Sequence, residues 1–170
     1  MNSKEGFTSV QGFISESGFT SVQGFTNGGG GLGEELQVNW DMSQGLTAWG
    51  SSATSSLQAV NDNGEDAVLI TQTGASPASG NMSISGLEIG KNYRVRIRAR
   101  RGVQGDQQRV GSFQWSNNIV TFITESTYQT VTLDVTATAT SGLSFLIVAQ
   151  SGGAVGDEMY VSELSIREIL

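Results

Sequence analysis

The chain has 170 residues, a net charge of −7, 23 glycines, one proline, and neither cysteine nor histidine. Without thiols or imidazoles it has no disulfide framework, no thiolate or imidazole metal site and no histidine acid–base chemistry. The acidic balance argues against non-specific binding to nucleic acid, and no run approaches the roughly 20 apolar residues that span a bilayer.

The octapeptide Gly-Phe-Thr-Ser-Val-Gln-Gly-Phe stands at residues 6–13 and, unchanged, at 18–25, ahead of a glycine run at 28–31. Each copy offers Phe7, Val10 and Phe13, or Phe19, Val22 and Phe25, at a spacing of three. That spacing suits neither a flat strand nor an amphipathic helix, and two copies fall short of a solenoid. Residues 1–33 therefore read as an extended N-terminal arm on a glycine-rich tether. A duplicated low-complexity tail is the plainer reading. Exposing four Phe residues is costly, however, and favours an arm that docks the same partner surface twice, gaining avidity from the linkage. A sheet edge or a groove repeated on a symmetric assembly would supply the backbone hydrogen bonds that ordering such an arm requires. The opening residues show no secretory signal, so synthesis in a cytoplasm without a cleaved leader is expected.

From residue 34 to 170 the pattern alternates in period two between turn signals. Strands are expected at 36–40, 56–60, 67–72, 81–85, 92–101, 109–115, 119–123, 128–136, 143–150 and 159–169. Turns are expected at 61–64, 74–80, 88–91, 102–107, 116–118 and 152–156. No segment has a helical period. Many short strands at this spacing predict an all-β fold, an antiparallel β-sandwich of jelly-roll type preceded by the arm.

Three stretches carry a family resemblance. Asn39-Trp40-Asp41-Met42-Ser43-Gln44-Gly45-Leu46-Thr47-Ala48-Trp49 resembles the opening of the carbohydrate-binding-module jelly rolls, the galactose-binding-like group. Leu87-Glu88-Ile89-Gly90-Lys91-Asn92-Tyr93 resembles their Leu-x-x-Gly-x-x-Tyr turn into a long central strand, and residues 159–166 resemble their closing strand. The match runs in order over about residues 36–169. Domains of this kind are also carried on phage structural proteins. The resemblance implies the fold and a glycan as ligand class. The family usually places an Asp in the closing strand, often serving a structural calcium ion, and here Ser162 and Glu163 stand there. Asp41, Asp157, Glu158 and Glu163 could supply the oxygen ligands calcium requires, but read first as solvated loop carboxylates, and no cofactor or metal is assigned.

Five of the seven arginines lie in residues 94–101. On a strand, Tyr93, Val95, Ile97 and Ala99 take one face, and Arg94, Arg96, Arg98 and Arg100 the other. Three readings of this stripe stay open. It is a solvated face whose ion pairs draw on carboxylates such as Asp134 and Glu163, a surface for self-association into homo-oligomers, or a site for anionic glycans or phosphates. Among the aromatics, Trp49 is assigned to the core and Trp40 to the buried face of the first strand. Trp115 and Tyr128 are the candidate stacking platforms, although Trp115 shares its parity with Phe113, as core residues do.

Catalysis is not expected, because the two lysines are isolated and the carboxylates show no spacing that suggests a glycosidase pair. Two functions remain. The first is a structural or decoration protein of a particle, expected to be a phage virion, its arm held by a capsid or tail protein and its sandwich displayed. The alternative is a polysaccharide-binding module. Nucleic acid and membrane are not expected partners.

Overall fold

A computed structural model describes residues 31–75, 79–102, 108–111, 120–149 and 154–170; for 108–111, 120–122 and 141–149 it describes the backbone alone. The arm residues Phe7, Val10, Phe13, Phe19, Val22 and Phe25, and Trp115, lie outside the described residues.

Every regular element among the described residues is a strand. In chain order these are β1 (Leu32–Glu35), β2 (Trp49–Ser51), β3 (Ser55–Asp62), β4 (Glu65–Gln72), β5 (Ser79–Ser85), β6 (Asn92–Arg101), β7 (Gln108–Gly111), β8 (Val120–Ile123), β9 (Gln129–Thr136), β10 (Ser141–Ala149) and β11 (Glu158–Ile169). All pairings are antiparallel. One sheet runs β3-β4-β11-β6-β9 with β1 beside β11, and the other runs β2-β5-β10-β7-β8. Val68 and Ile70 of β4, Val95, Ile97 and Ala99 of β6, and Val161, Leu164 and Ile166 of β11 share one buried cluster with Met82 and Ile84 of β5 and Ile123 of β8. Both sheets thus turn an apolar face inward. The result is the antiparallel β-sandwich that the alternation predicts.

β6 lies between β11 and β9 in the larger sheet, and its side chains alternate between the core and the outer face along the strand. Tyr93 enters it from a turn in which Leu87 is buried and Gly90 adopts φ +86°. The Glu88 amide donates to the Tyr93 hydroxyl at 2.9 Å. This explains the Leu-x-x-Gly-x-x-Tyr spacing. Leucine pins the turn, glycine reverses the chain in the left-handed region, and tyrosine satisfies a turn amide from inside the core.

β11 carries a bulge at the step from Val161 to Glu163. Met159 and Val161 are buried before it and Leu164 and Ile166 after it. The inward set passes from odd to even positions, which only an extra residue permits. On its other side β11 is bordered by β4 along residues 158–161 and by β1 near its end.

The gap between β4 and β1 is filled by residues 36–40, and here the structure departs from the sequence reading. The first strand is β1, four residues earlier than the expected strand at 36–40, and the three-residue β2 was not anticipated. Leu36 donates to Ile166 O at 3.0 Å and Trp40 O accepts from Leu164 N at 2.8 Å, so the segment follows β11 without forming a ladder. Its patterning is inverted. Gln37 and Asn39 are 4% and 0% exposed, whereas Val38 and Trp40 are 69% and 38% exposed. Trp40 is therefore not in a buried strand face. Asn39 accounts for this, because its side chain satisfies more polar groups of the following loop than a ladder position would offer.

Candidate functional site

The outward side chains of β6 meet carboxylates from four other strands. Arg94 forks onto Asp134 of β9 with contacts of 2.8 and 2.7 Å. Arg98 forks onto Glu65 of β4 with contacts of 2.9 and 2.6 Å, and Arg100 forks onto Asp62 of β3 with contacts of 2.6 and 2.8 Å. Arg96 is more loosely held, with its Nε 3.4 Å from Glu163 of β11. Four guanidiniums thus face four carboxylates. Asp134 and Glu163 are the two carboxylates expected from the sequence, and the bulge in β11 is what turns Glu163 toward Arg96. Asp62 and Glu65 flank a hairpin turn some thirty residues earlier in the chain, and reach β6 only because β4 borders β11 and β11 borders β6.

The Arg100 end of the stripe is the most enclosed. The Arg100 guanidinium lies 3.7 Å from the centroid of the Tyr160 ring and 5.7 Å from that of Tyr128, and donates to Arg101 O at 3.0 Å. Arg98 lies 4.9 Å over the Tyr128 ring. Cation–π contact and bidentate pairing act together in this cluster. Tyr128 is half-buried beneath two arginines. Its hydroxyl is buried and neighbours the Asp62 carboxylate. Burial first, then the carboxylate of Asp62, raises the Tyr128 pKa.

The pairs depress their carboxylates. Hydrogen bonds from Arg100, Arg98 and Arg94 hold Asp62, Glu65 and Asp134 below the usual carboxylate range. A group whose pKa is lower folded than unfolded binds more protons when unfolded, so stability rises with pH across that interval. The contribution is complete above the unfolded values of about 4 and is lost as pH falls through the folded values beneath them. Thermal melts should therefore be level from pH 7 to about 5 and fall steeply below about 4. The fall should be shallower in Asp62→Asn. An unchanged slope in that variant would remove Asp62 from the acid-labile set.

The candidate calcium donors do not converge. Asp41 accepts from the Ser43 hydroxyl at 2.8 Å, Asp157 accepts from the Ala154 amide at 2.9 Å, and Glu163 faces Arg96. Among the described residues no three acidic side chains form a metal-sized group.

A second feature lies in the loop of residues 36–48. The Asn39 side chain donates to Gly45 O at 2.8 Å and Thr47 O at 3.3 Å, and accepts from the Gln44 amide at 2.8 Å. Gln44 Nε2 donates to Val38 O at 3.0 Å. Met42 is buried in the core, with φ 60°, and Ala48 has φ 67°. Two non-glycine residues in the left-handed region persist only where the surroundings over-determine them. On this stiff loop Trp40 is 38% exposed and Leu46 39%, whereas Trp49 packs against the core. The sequence reading puts Trp40 in a buried strand face and so misses its exposure. The signal was present in the turn-forming cluster Asn39, Asp41, Ser43 and Gly45 around it.

No protein-family model matches the sequence, and no curated protein matches it. Solved structures do match in fold. An enzymatically active domain of bacteriophage CBA120 tailspike protein 4 aligns with TM-score 0.59 and 11% identity, over 79% of this chain and 21% of that one. The Clostridium thermocellum xylanase 10B fragment with a family 22 carbohydrate-binding module and a catalytic module, bound to xylohexaose, aligns with TM-score 0.59 and 12% identity, over 80% of this chain and 29% of that one. The family 61 carbohydrate-binding module TmCBM61, in complex with β-1,4-galactotriose, aligns with TM-score 0.56 and 15% identity, over 78% of this chain and 97% of the module. The fold is that of the carbohydrate-binding-module jelly rolls. This chain spans less than a third of the first two structures, and nearly the whole of the isolated module.

Proposed function

We propose that the sandwich is a non-catalytic module that binds a neutral polysaccharide. The observation that carries this reading is the fold shared with carbohydrate-binding modules over almost the full length of one of them. The chemistry of the arginine face narrows the ligand class. Arg94, Arg98 and Arg100 already spend their forks on Asp134, Glu65 and Asp62, and Arg96 faces Glu163. An anionic glycan would have to displace a bidentate carboxylate to gain an equivalent contact, and would meet a chain of net charge −7. A neutral sugar pays neither penalty, and the fixed carboxylates and guanidiniums can hydrogen-bond its hydroxyls.

A second reading joins the first. The likeness to a bacteriophage tailspike domain and the duplicated octapeptide support display on a phage particle. There, Phe7, Val10, Phe13, Phe19, Val22 and Phe25 anchor the chain to a repeated capsid or tail protein, and the sandwich faces outward.

One panel tests both. The full chain is tried on neutral and anionic polysaccharides at two salt concentrations, and its retention on purified particles is followed. Binding confined to neutral glycans and insensitive to salt is expected. Binding confined to anionic glycans and lost with salt overturns the ligand class, and failure to bind any glycan overturns the module. Replacing Phe7, Phe13, Phe19 and Phe25 by Ser should release the protein from particles and leave glycan binding intact. Normal retention of that variant would refute the anchoring role.

A further inference from the structure

We propose that Trp40 is the stacking platform on which this module receives one pyranose ring of its polysaccharide, an inference that rests on the glycan-binding reading above. Sequence pattern and burial point the same way. Along residues 37–40 the polar side chains are inside and the apolar ones outside, opposite to what folding alone rewards, and such local inversions concentrate at functional sites. Asn39 at 0% exposure maintains the inversion, and its three hydrogen bonds fix the loop that carries Trp40. The Trp40 carbonyl is tied to Leu164 N at 2.8 Å on the central strand, so its backbone is held from the sheet side as well. A ring presented on a stiff support loses little freedom when a ligand stacks on it, the condition under which one aromatic contributes most to binding.

The other described aromatics are less suited. Tyr128 and Tyr160 are covered by the guanidiniums of Arg98 and Arg100, and Trp49 and Tyr93 belong to the core. The area of the exposed ring suits one sugar unit. Trp40 at 38% exposure, out of the roughly 150–250 Å² a large aromatic offers, leaves less than 100 Å² free. That is room for one ring, while a stable protein interface covers about 800 Å² per partner. The flank is also suited to hydroxyls. Asp41, the next residue of the loop, is also exposed and is kept ionised first by the Ser43 hydroxyl and then by the Ser43 amide, so the same loop offers an acceptor to solvent. A loop that exposes both an indole and a carboxylate offers the two kinds of contact, apolar and polar, that a pyranose makes.

The test uses the full chain and the neutral polysaccharide it binds best, by affinity electrophoresis and calorimetry. Trp40→Ala should weaken binding about tenfold or more, with Trp40→Phe retaining most of it and melting temperatures unchanged. If the unmodified chain binds and Trp40→Ala binds equally well, the platform is refuted and the glycan-binding reading stands. If the unmodified chain binds no polysaccharide, both fall. Should Trp40→Ala melt early, acrylamide quenching of the unmodified protein decides. Saturating polysaccharide must shield the exposed indole, and undiminished quenching overturns the assignment.

Discussion

Replacing Asp62 by Ala should lower the unfolding free energy by about 3 kcal/mol, the range for breaking a largely buried ion pair from one side. The Asp62 and Arg100 side chains are 11% and 15% exposed. The truncation therefore leaves a guanidinium that water reaches poorly, with the Arg101 carbonyl and two tyrosine faces as its remaining partners. The loss measures a stranded charge rather than the worth of the pair. Asp62→Ala combined with Arg100→Met should accordingly recover most of it, since an apolar chain of similar length fills the space beside Tyr160. The contrast lies at the other end of the same strand. Arg94 and Asp134 are 41% and 50% exposed, and Asp134→Ala should cost less than about 1 kcal/mol. Urea unfolding at pH 7 measures all three, and equal losses for Asp62→Ala and Asp134→Ala would show that enclosure is not what distinguishes them.

Asn39→Ala should cost about 2–3 kcal/mol, again through groups left unpartnered. The Gln44 amide and the carbonyls of Gly45 and Thr47 lose their partner at a position with no solvent exposure. Met42 and Ala48, both at positive φ, lose the clamp that holds them there. Asn39→Asp makes a sharper probe. It keeps an acceptor for Gln44 but sets a carboxylate against two carbonyl oxygens, so at pH 7 it should be at least as damaging as alanine. Amide exchange at Gln44 should accelerate in both variants before global unfolding does. An Asn39→Asp protein as stable as the original would refute the hydrogen-bond assignment.

Which parts of this were legible beforehand follows from where the information lies. The alternation of Tyr93, Val95, Ile97 and Ala99 against four arginines is local and reads directly as a strand with one buried face. So does the hairpin between β3 and β4, where Asn63 and Gly64 adopt φ 56° and 91° as a two-residue turn requires. The carboxylates opposite Arg98 and Arg100 are not local. Finding Asp62 and Glu65 there needs the sheet order, which alternation does not contain. Residues 36–40 misled for a different reason. Their apolar positions alternate as in a strand, but Asn39 finds better hydrogen bonds in the loop than in a ladder, and the pattern comes out reversed. The bulge in β11 left a trace, since Met159 and Val161 are out of step with Leu164 and Ile166, and an alternation that slips by one marks an inserted residue.

The pairing of β1 with β11 has a consequence for how the sandwich is attached to anything else. Leu170 N donates to Gly31 O at 2.8 Å, so the two sides of this strand pair run out together at one corner. The chain enters the described sandwich at Gly31, and a partner fused at Leu170 would start beside that entry point. A tag placed after Leu170 would therefore adjoin Gly31, which one inserted at the Asn63-Gly64 hairpin tip would not. By the same geometry, a short linker from Leu170 to Gly31 would close the domain into a ring, and new ends could be opened at that tip without breaking the strand order.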